Sequence, residues 1–540
     1  MATLLVGTPK GQHWLTVEGA QSLREALEET EARVPTACGG VGTCGACVVR
    51  VVSGQTNPPT AAERRKLTGE ERARGLRLAC QLRVEDDLEI ELEQPEKPTS
   101  WVSIPLEELP PWPGLRPVAG PASYGVAVDL GTTRIRVSLW DRRQGRRIAS
   151  CSGPNPQEVF GADVLNRVST AQKDPQRGLE LAGLARGAIL KAIGTILAQE
   201  LGDSGVQPAE IGRIVVVGNT AMLALLTGTG LPALLDPAQW QRAIDISPGD
   251  PSAWQADWHL GRAEILLPAP LAGFVGSDLL AAVVGTGLLE GPAGSLLVDV
   301  GTNTELALWD GSVLHVSSVP GGPAFEGAGL RFGLPAGPGA IAHVLPCPEG
   351  EGFTCETLGG LPPRGFCGSG LVDAVALLLG AGLLKASGRF SRPAEPGGYP
   401  LDPAISQSAL SAGDVDTFQR AKAAQASAME ELLELAGLGW RDIRRLCVCG
   451  AFGRSLHVGH AQAVGLLPPV EEQRIELHGH AALAGCEWAL LATDANAVLA
   501  EVASRARLVN LSLIPGWEDR YMAHLRLAPI PLESCRRVSP

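Results

Sequence analysis

The chain has no excess of positive charge: among its 540 residues, 45 Lys and Arg stand against 58 Asp and Glu, a net charge of −13. Proteins that hold nucleic acid cluster Lys and Arg against the phosphates, so nucleic acid is not expected as a partner. Aromatic residues are also few, at 4%, while hydrophobic residues reach 45%. This composition is globular, and the length predicts roughly three to four domains.

Secretory and membrane signals are also missing. The start, "MATLLVGTPKGQHW", has neither the basic residues nor the long apolar run of a signal peptide. The most membrane-like stretch, "LAGFVGSDLLAAVVGTGLL" at 271–289, is long enough to span a bilayer but contains Asp278 and several glycines. We predict a buried helix there, because a charge in mid-bilayer is costly. We therefore expect a cytoplasmic protein without a membrane partner.

Three of the twelve cysteines crowd into "TACGGVGTCGAC" at 36–47. Cys38, Cys44 and Cys47 follow the spacing C-x5-C-x2-C, and Cys80 in "GLRLACQL" is a fourth candidate ligand. Plant-type ferredoxins hold two irons with C-x4-C-x2-C and a distant Cys. Structural zinc sites usually use two CxxC-like pairs, and only one occurs here. The pattern therefore favours a [2Fe–2S] cluster, with zinc or inert cysteines as the alternatives.

The surrounding residues predict a small α+β unit over 1–93. "ATLLV", "HWLTV", "CVVRVVSG" and "DDLEIELE" are strand candidates, and "SLREALEETEA" is a helix candidate. With its cysteine spacing, this unit resembles a β-grasp [2Fe–2S] ferredoxin domain of the adrenodoxin-like type. Residues 94–122 are rich in proline, so we expect an interdomain linker without regular helix or sheet.

From residue 123 onward, strands and helices alternate, and one hairpin design occurs twice. "YGVAVDLGTT" and "GSLLVDVGTNTELALWDG" place Asp129 and Asp299 at matching points, each followed by Gly-Thr. Backbone N–H groups and hydroxyls beside a carboxylate suit a polyphosphate bound with Mg²⁺. The repeat predicts an internally duplicated α/β fold with a phosphate site.

Three further segments, "IVVVGNTAML", "GFCGSGLVDAVALLL" and "LCVCGAFGRS", complete a pattern that resembles the actin-like ATPase superfamily of sugar kinases, chaperone ATPases and actin. The resemblance implies two lobes, 123–293 and 294–540, that bind ATP and Mg²⁺. It implies the following binding residues: Asp129, Gly131, Thr132 and Thr133 in the first phosphate motif; Asp299, Gly301, Thr302 and Asn303 in the second; Asn219, Gly368, Ser369 and Gly370 at the connecting helices; and Gly450, Ala451, Phe452 and Gly453 beside the nucleoside.

Other stretches, among them "NPQEVFGADVLNRV", "GGPAFEGAGL" and "CGAFGRSLHVGHAQAVGLLP", resemble the reductive activators of corrinoid proteins. That family joins a [2Fe–2S] domain, a linker and an actin-like ATPase. The resemblance implies an ATP-hydrolysing activase that passes one electron from the cluster to Co(II) of a corrinoid protein and regenerates Co(I). It further implies an external low-potential electron donor, and it leaves a homodimer open.

Besides Asp129 and Asp299, two acidic residues are catalytic candidates. Asp278 could act as a general base, as in a kinase, could position a water, or could be structural. Glu305 could order Mg²⁺ or water, or could be a plain strand residue. Glu326 lies in a Gly-rich loop near the cleft or the partner, with a solvated loop as the alternative. Two other functions remain open: a small-molecule or sugar kinase with a redox-sensing ferredoxin domain, and a ferredoxin carrier with a non-hydrolytic docking domain.

Overall fold

The computed structural model describes residues 2–534, except for 9–10, 18–20, 28–29, 31, 33, 35–39, 43–46, 93–100, 105–123, 162–163, 201–209, 262, 320, 322, 348–351, 393–397 and 454. Within these residues the chain forms a small N-terminal unit and two larger lobes. Separate hydrophobic cores fill each of the three, and a further apolar cluster joins the two lobes.

The N-terminal unit is a five-stranded sheet with short helices. Its elements are β1 (Ala2–Thr8), β2 (Gly11–Val17), β3 (Gln21–Ser22), α1 (Leu23–Leu27), β4 (Val48–Gly54), α2 (Ala61–Lys66), α3 (Gly69–Ala73), β5 (Leu76–Leu78), β6 (Arg83–Val84) and β7 (Leu88–Leu92). The strand order is β2-β1-β7-β4-β5, with the first and last strands of the unit's sequence, β1 and β7, parallel. The four predicted strands are confirmed, and the predicted helix appears as the short α1.

The first lobe is built on a six-stranded sheet. Its elements are β8 (Val102–Ser103), β9 (Tyr124–Leu130), β10 (Arg134–Asp141), β11 (Arg146–Pro154), α4 (Val164–Lys173), α5 (Pro175–Glu200), β12 (Ile211–Gly218), α6 (Thr220–Thr227), α7 (Leu231–Leu234), α8 (Pro251–Ala256), β13 (Glu264–Leu266) and α9 (Ser277–Gly285). The order is β13-β12-β9-β10-β11-β8. Strands β9 and β12 are buried almost throughout, as expected for a sheet covered on both faces.

The second lobe repeats this sheet. Its elements are β14 (Ser295–Val300), β15 (Thr304–Trp309), β16 (Leu314–Val319), β17 (Ala340–Pro346), β18 (Phe353–Thr357), β19 (Gly365–Phe366), α10 (Gly368–Gly380), β20 (Tyr399–Pro400), β21 (Ala409–Leu410), α11 (Ala412–Leu435), β22 (Arg445–Gly450), α12 (Val458–Ala463), β23 (Ile475–His478), α13 (Ala481–Leu491), α14 (Ala495–Arg505), β24 (Ala506–Leu508) and α15 (Trp517–His524). The order β23-β22-β14-β15-β16-β24 matches the first lobe in its first five strands, with the same parallel and antiparallel pairs at its centre. The sixth strand differs, because β24 is parallel to β16 whereas β8 is antiparallel to β11.

Helices α9 and α13 cross between the lobes at very short range. A Cβ atom built on Gly485 would lie 1.8 Å from the carbonyl oxygen of Ala281, and one on Gly285 would lie 2.3 Å from that of Ala481. Glycine is needed at both positions because only it lets the two backbones approach this closely. The crossing fixes α9, and therefore its first residues, against both sheets.

Most of the predicted linker lies outside the described residues, apart from 101–104. There Val102–Ser103 forms β8 and pairs antiparallel with β11, so the expectation of no sheet in the linker is wrong at these two residues. The Trp101 ring lies over Gly153, where an added Cβ would be 2.4 Å from the ring. The Trp101 ring fits beside β8 because Gly153, on the neighbouring strand β11, has no side chain.

The predicted buried helix within 271–289 is confirmed as α9, which spans nine residues. Among the described residues, one helix is long and apolar enough to cross a membrane: Pro175–Ala198 within α5, with 44% of its most apolar window buried. This is weak evidence for a span, because core helices have the same composition, and Leu181, Ala185 and Ile189 of α5 pack in the first lobe's core.

Candidate functional site

Two of the four predicted cluster ligands lie in the described part of the N-terminal unit. Cys47 is buried directly before β4, and Cys80 is half-buried just after β5. The Ala79 N–H donates a 2.8 Å hydrogen bond to the Cys47 carbonyl, so the two cysteines leave neighbouring strands side by side. Cys38 and Cys44 lie outside the described residues.

The glycines of the cysteine loop bring its backbone against Cys80. Gly40 and Gly42 have φ of 96° and 84°, which L side chains rarely adopt. A Cβ on Gly42 would lie 3.0 Å from the Gln81 side chain. Gln81 Nε2 is 3.3 Å from the Gly40 carbonyl oxygen and 3.6 Å from Cys80 Sγ. This packing of Gly40 and Gly42 on Gln81, with an amide donor beside Cys80 Sγ, fits a metal cluster held by cysteines from both segments.

The two Gly-Thr turns meet in the cleft between the lobes. Asp129 and Asp299 occupy the same place in their hairpins, one residue before the end of β9 and of β14. The hydroxyl oxygens of Thr133 and Thr302 are 3.1 Å apart. The predicted duplication is therefore present in three dimensions, and it places the two predicted phosphate motifs face to face.

Acidic side chains crowd this cleft. Burial, followed by the charge of Asp129, raises the pKa of Asp299 to about 7. Burial and the charges of Asp129 and Asp299 likewise raise the pKa of Asp278 to about 7. Such pKa values mean that the negative charges are not fully compensated by protein groups. Carboxylate oxygens are ligands that Mg²⁺ prefers.

Glu305 extends the acidic cluster along the second hairpin. It stands directly opposite Asp299 on β15 and is 8% exposed. Burial and the charge of Asp278 raise its pKa well above the usual range. Ser318 donates a 2.8 Å hydrogen bond to Oε1, while Oε2 has no hydrogen-bond partner among the described residues. Its position argues against a plain strand residue.

One positively charged side chain that the sequence did not predict, that of Arg136, lies inside the cleft. Arg136 stands opposite Asp129 on β10, and its Nη1 donates a 2.8 Å hydrogen bond to Asp129 Oδ2. Burial disfavours the charge of Arg136, but Asp129 outweighs it and raises the pKa of the guanidinium. The alternation "RIRV" after the Gly-Thr turn was the available signal, because every second residue of a strand shares a face.

Three polar side chains fix the first phosphate turn. Asn155 Nδ2 donates to the Gly131 carbonyl, Arg167 Nη1 to the Thr132 carbonyl, and Asn219 Nδ2 to the Thr132 hydroxyl, each at 2.9 Å. Asn155 and Arg167 both come from the stretch "NPQEVFGADVLNRV". Its physical role is thus to hold the turn's carbonyls, a role that the sequence did not reveal.

Asp278 reaches the cleft because α9 begins against the end of β12. A Cβ on Gly276 would lie 2.3 Å from the Gly218 carbonyl oxygen, and the Gly218 N–H donates to Ser277 Oγ at 3.3 Å. Asp278 Oδ1 accepts a hydrogen bond from the Leu279 N–H at 3.0 Å. The carboxylate therefore accepts a hydrogen bond within the first turn of α9, whose N-cap is Gly276, while it also faces Asp129 and Asp299.

The predicted nucleoside turn lies beside the second phosphate motif. A Cβ on Gly450 would lie 2.2 Å from the Val300 carbonyl oxygen and 2.4 Å from Asp299 Oδ1. The Ala451 N–H donates to the same carbonyl at 2.6 Å. Gly453 has φ of 54°. Phe452 turns inward instead and packs in the second lobe's core, so only the backbone of this turn is available to a nucleoside.

The Gly-Ser-Gly turn is interior. Ser369 is 2% exposed, and its hydroxyl contacts Cys367 Sγ. A Cβ on Gly370 would lie 2.1 Å from the Ile341 carbonyl oxygen, and one on Gly368 would lie 3.2 Å from the Phe452 ring. The Gly-Ser-Gly turn therefore lies behind the predicted nucleoside turn and packs against Phe452 of that turn. Direct contact between the Ser369 side chain and a ligand has no support in this geometry.

Glu326 joins the two phosphate motifs. Its Oε2 accepts a 2.9 Å hydrogen bond from Thr133 and a 2.5 Å hydrogen bond from Thr302. The carboxylate therefore lies where the two lobes' hydroxyls converge. Of the readings open for Glu326, the structure supports the cleft position.

Comparison with known families covers almost the whole chain. Residues 8–85 match the 2Fe-2S iron-sulfur cluster binding domain, residues 124–290 the RACo middle region, and residues 293–538 the C-terminal domain of RACo, the ASKHA domain. The chain belongs to the RACo family. Its N-terminal unit is a [2Fe–2S] cluster-binding domain, and the predicted order of ferredoxin and actin-like domains is confirmed.

Individual relatives agree with this assignment. The chain is 28% identical over 424 residues to the corrinoid activation enzyme RamQ of Eubacterium limosum, covering 74% of this chain and 69% of that one. It is 26% identical over 397 residues to the [Co(II) methylated amine-specific corrinoid protein] reductase of Methanosarcina barkeri, covering 67% and 68%. A solved reductive activator for a corrinoid, iron-sulfur protein superposes on 99% of this RACo chain and 100% of its own, with a TM-score of 0.65 and 26% identity.

Proposed function

We propose that this chain is an ATP-hydrolysing reductive activator of a corrinoid protein, which returns one electron to Co(II) and regenerates Co(I). One observation carries the proposal: a cluster-binding domain and two facing phosphate motifs occur in one chain that matches a reductive activator from end to end. The domains we propose are 1–93 for the cluster, 94–122 for the linker, and 123–293 and 294–540 for the lobes.

ATP would bind in the cleft between the lobes. The Thr132 and Thr133 turn and the Thr302 and Asn303 turn offer N–H and hydroxyl donors to the phosphate oxygens. Asp129 and Asp299 would hold Mg²⁺, since their carboxylates lie beside the two turns and Mg²⁺ prefers carboxylate oxygens.

Water attack on the γ-phosphate requires no covalent intermediate with the protein. Asp278 and Glu305 lie on the side of Asp299 and are suited to orient that water. Burial raises the pKa of both carboxyls, that of Asp278 to about 7, so Asp278 can accept a proton near neutral pH. The products are ADP and inorganic phosphate. The backbone of Gly450–Gly453 would lie beside the nucleoside.

The cluster would be held by Cys38, Cys44, Cys47 and Cys80. When bound, it supplies one electron at low potential, which an external low-potential donor replaces. Delivery to Co(II) is uphill for an ordinary ferredoxin, and each 59 mV costs about tenfold in a one-electron equilibrium. A nucleotide-driven change can offset this cost only if the lobes bind one state of the corrinoid protein in preference to the other.

The test mixes anaerobically purified protein with candidate corrinoid proteins in the Co(II) state, Ti(III) as electron donor, and Mg²⁺-ATP. We expect the absorbance of Co(I) to appear only when ATP is present. Asp129→Asn should form no Co(I) even when ATP is present, while the iron content of the protein stays unchanged. Absence of Co(I) with every candidate partner, or equal formation without ATP, would reject the proposed function.

A further inference from the structure

The segment of residues 323–334 touches both the cleft and the N-terminal unit. At the cleft, Glu326 Oε2 accepts hydrogen bonds from Thr133 at 2.9 Å and from Thr302 at 2.5 Å. These two hydroxyls belong to different lobes, and both stand in the turns that face the proposed phosphate site. One carboxylate oxygen therefore ties the two phosphate motifs together.

A phosphate oxygen and Glu326 compete for the same donors. Each threonine hydroxyl has a single hydrogen, so a hydroxyl that donates to Glu326 cannot at the same time donate to a phosphate. The two acceptors are also both negative, and like charges at this range repel. Binding of a nucleoside triphosphate and the present position of Glu326 are therefore alternatives.

The segment is internally braced, and its end pairs with β19, where the Leu334 N–H donates to the Phe366 carbonyl at 2.8 Å and the Phe366 N–H to the Phe332 carbonyl at 2.7 Å. A Cβ on Gly333 would lie 1.9 Å from the Gly327 carbonyl oxygen, which shows that residues 327 and 333 are in backbone contact. Gly327 and Gly329 have φ of 83° and 78°, a conformation that favours glycine. Residues 327–333 thus form a closed loop directly after Glu326.

The same loop contacts the N-terminal unit through Arg331. Its guanidinium Nη1 donates to Glu71 Oε1 of α3, and Glu71 is 6% exposed. The backbone N–H of Arg331 donates to Asp414 Oδ1 at 2.8 Å. Arg331 is thus held on the second lobe by its backbone and on the ferredoxin unit by its side chain.

Glu71 is rigidly connected to the cluster side of its unit. Its Oε2 accepts the Thr68 N–H at 2.8 Å and so caps α3, which leads directly into β5 and Cys80. Beneath α3, the buried pair of Arg77 and Glu63, at 2.8 Å, fixes β5 to α2. A displacement of Arg331 would therefore be transmitted through α3 to β5, which ends two residues before Cys80.

We infer that the 323–334 segment is a nucleotide-sensitive clasp between the lobes and the cluster domain, with Glu326 as a displaceable phosphate substitute and the Arg331–Glu71 ion pair as its outer end. Nucleotide in the cleft expels Glu326, shifts the loop, and opens the ion pair. The inference rests on the proposed function and adds to it how the cluster domain senses ATP.

The first test measures binding of Mg²⁺-AMPPNP to the full chain by calorimetry. Glu326→Gln removes the competing charge, so we expect about tenfold tighter binding, the size of a modest like-charge contact. The matched control, Glu356→Gln, removes an exposed carboxylate elsewhere in the second lobe and should leave the affinity unchanged. Equal or weaker binding by Glu326→Gln would overturn the clasp, because Glu326 would then be a ligand or a bystander.

The second test follows hydrogen exchange of residues 69–80 with and without Mg²⁺-AMPPNP. In the wild type we expect the nucleotide to increase exchange there. In Arg331→Gln, exchange should already be high and should no longer respond, whereas Arg389→Gln, at an exposed arginine of the same lobe, should behave as the wild type. A response of equal size in Arg331→Gln, or none in the wild type, would overturn the inference.

The proposed function and the clasp are rejected by different results. Wild-type protein that binds no adenine nucleotide at all would reject the proposed function. Wild-type protein that binds AMPPNP, but in which Glu326→Gln or Arg331→Gln has none of the expected effects, would reject the clasp alone.

Discussion

Replacing Asp299 by Asn should stabilise the fold while it destroys the nucleotide site. In the folded chain, burial and the charge of Asp129 raise the pKa of Asp299 to about 7 from an ordinary 3.8. Between these values the folded state keeps a proton that the unfolded chain has lost. Stability therefore falls as pH rises toward 7, because the folded state binds more protons than the unfolded one. Asn at position 299 does not titrate, so the stability of the variant does not show this fall between pH 5 and pH 7.

The size of the effect follows from the same linkage. From pH 5 to about pH 7, each pH unit costs the wild type about 1.4 kcal/mol relative to the variant. The advantage of Asp299→Asn should thus be about 2 to 3 kcal/mol larger at pH 8 than at pH 5. For a lobe of this size, that corresponds to roughly 4 to 12 °C in Tm.

The assay is thermal unfolding of both proteins at pH 5 and pH 8 without nucleotide. Asp310→Asn is the matched control on the same lobe. Burial acts on Asp310 too, but hydrogen bonds from Val313 and His315 prevail and lower its pKa to about 2, so its loss should lower Tm at pH 8. An Asp299→Asn variant with a lower Tm than wild type at pH 8, or with the same difference at both pH values, would refute the reasoning.

Three other substitutions, each paired with a control substitution, test separate parts of the structure. Gly485→Ala should destabilise the fold by about 1–3 kcal/mol through overpacking, since its Cβ would lie 1.8 Å from the Ala281 carbonyl oxygen. Gly194→Ala in α5, where nothing lies within 4 Å of the added Cβ, should stabilise it by up to about 1 kcal/mol. Chemical denaturation that shows a loss of stability in both variants would contradict this. Arg147→Met leaves the fully buried Glu487 without its 2.9 Å ion pair between the lobes and should lower stability by about 3–5 kcal/mol. Arg177→Met, at an exposed ion pair, should lower it by less than about 1 kcal/mol. Similar losses of stability in the two variants would contradict the argument from burial. Cys80→Ser should lose bound iron and visible absorbance, while Cys151→Ser, buried in the first lobe, should retain both; intact iron in Cys80→Ser would remove it from the ligand set.

The sequence predicted those features that repeat or that follow a strict spacing. Asp129 and Asp299 could be paired because both hairpins carry the same strand and Gly-Thr turn, and the lobes' strand orders now agree. The alternation in "LCVCG" puts Cys447 and Cys449 on one face of a strand, and both are buried in β22. Asp414 follows Ser411 by three residues at the start of a helical pattern, and the two side chains form the capping box of α11. Local patterns were sufficient in each case.

Contacts between distant segments were not predictable in this way. Arg136 neutralises Asp129 only because β10 pairs with β9 in one register, and Arg167 reaches the Thr132 carbonyl across 35 residues. The turn at Gly368–Gly370 has the composition of a ligand loop, yet it is buried behind Phe452. Glycine allows close approach of any backbone, so composition alone does not distinguish a ligand from a neighbouring turn.

The central claim is that electron delivery from the cluster is coupled to ATP, and a single-turnover experiment tests it most directly. Protein with a reduced cluster, freed of excess reductant, is mixed anaerobically with a Co(II) corrinoid protein, and the cluster and Co(I) absorbances are followed with and without Mg²⁺-ATP. The account predicts one Co(I) formed per cluster oxidised, with ATP only. Co(I) formed at the same rate and to the same extent without ATP would contradict it.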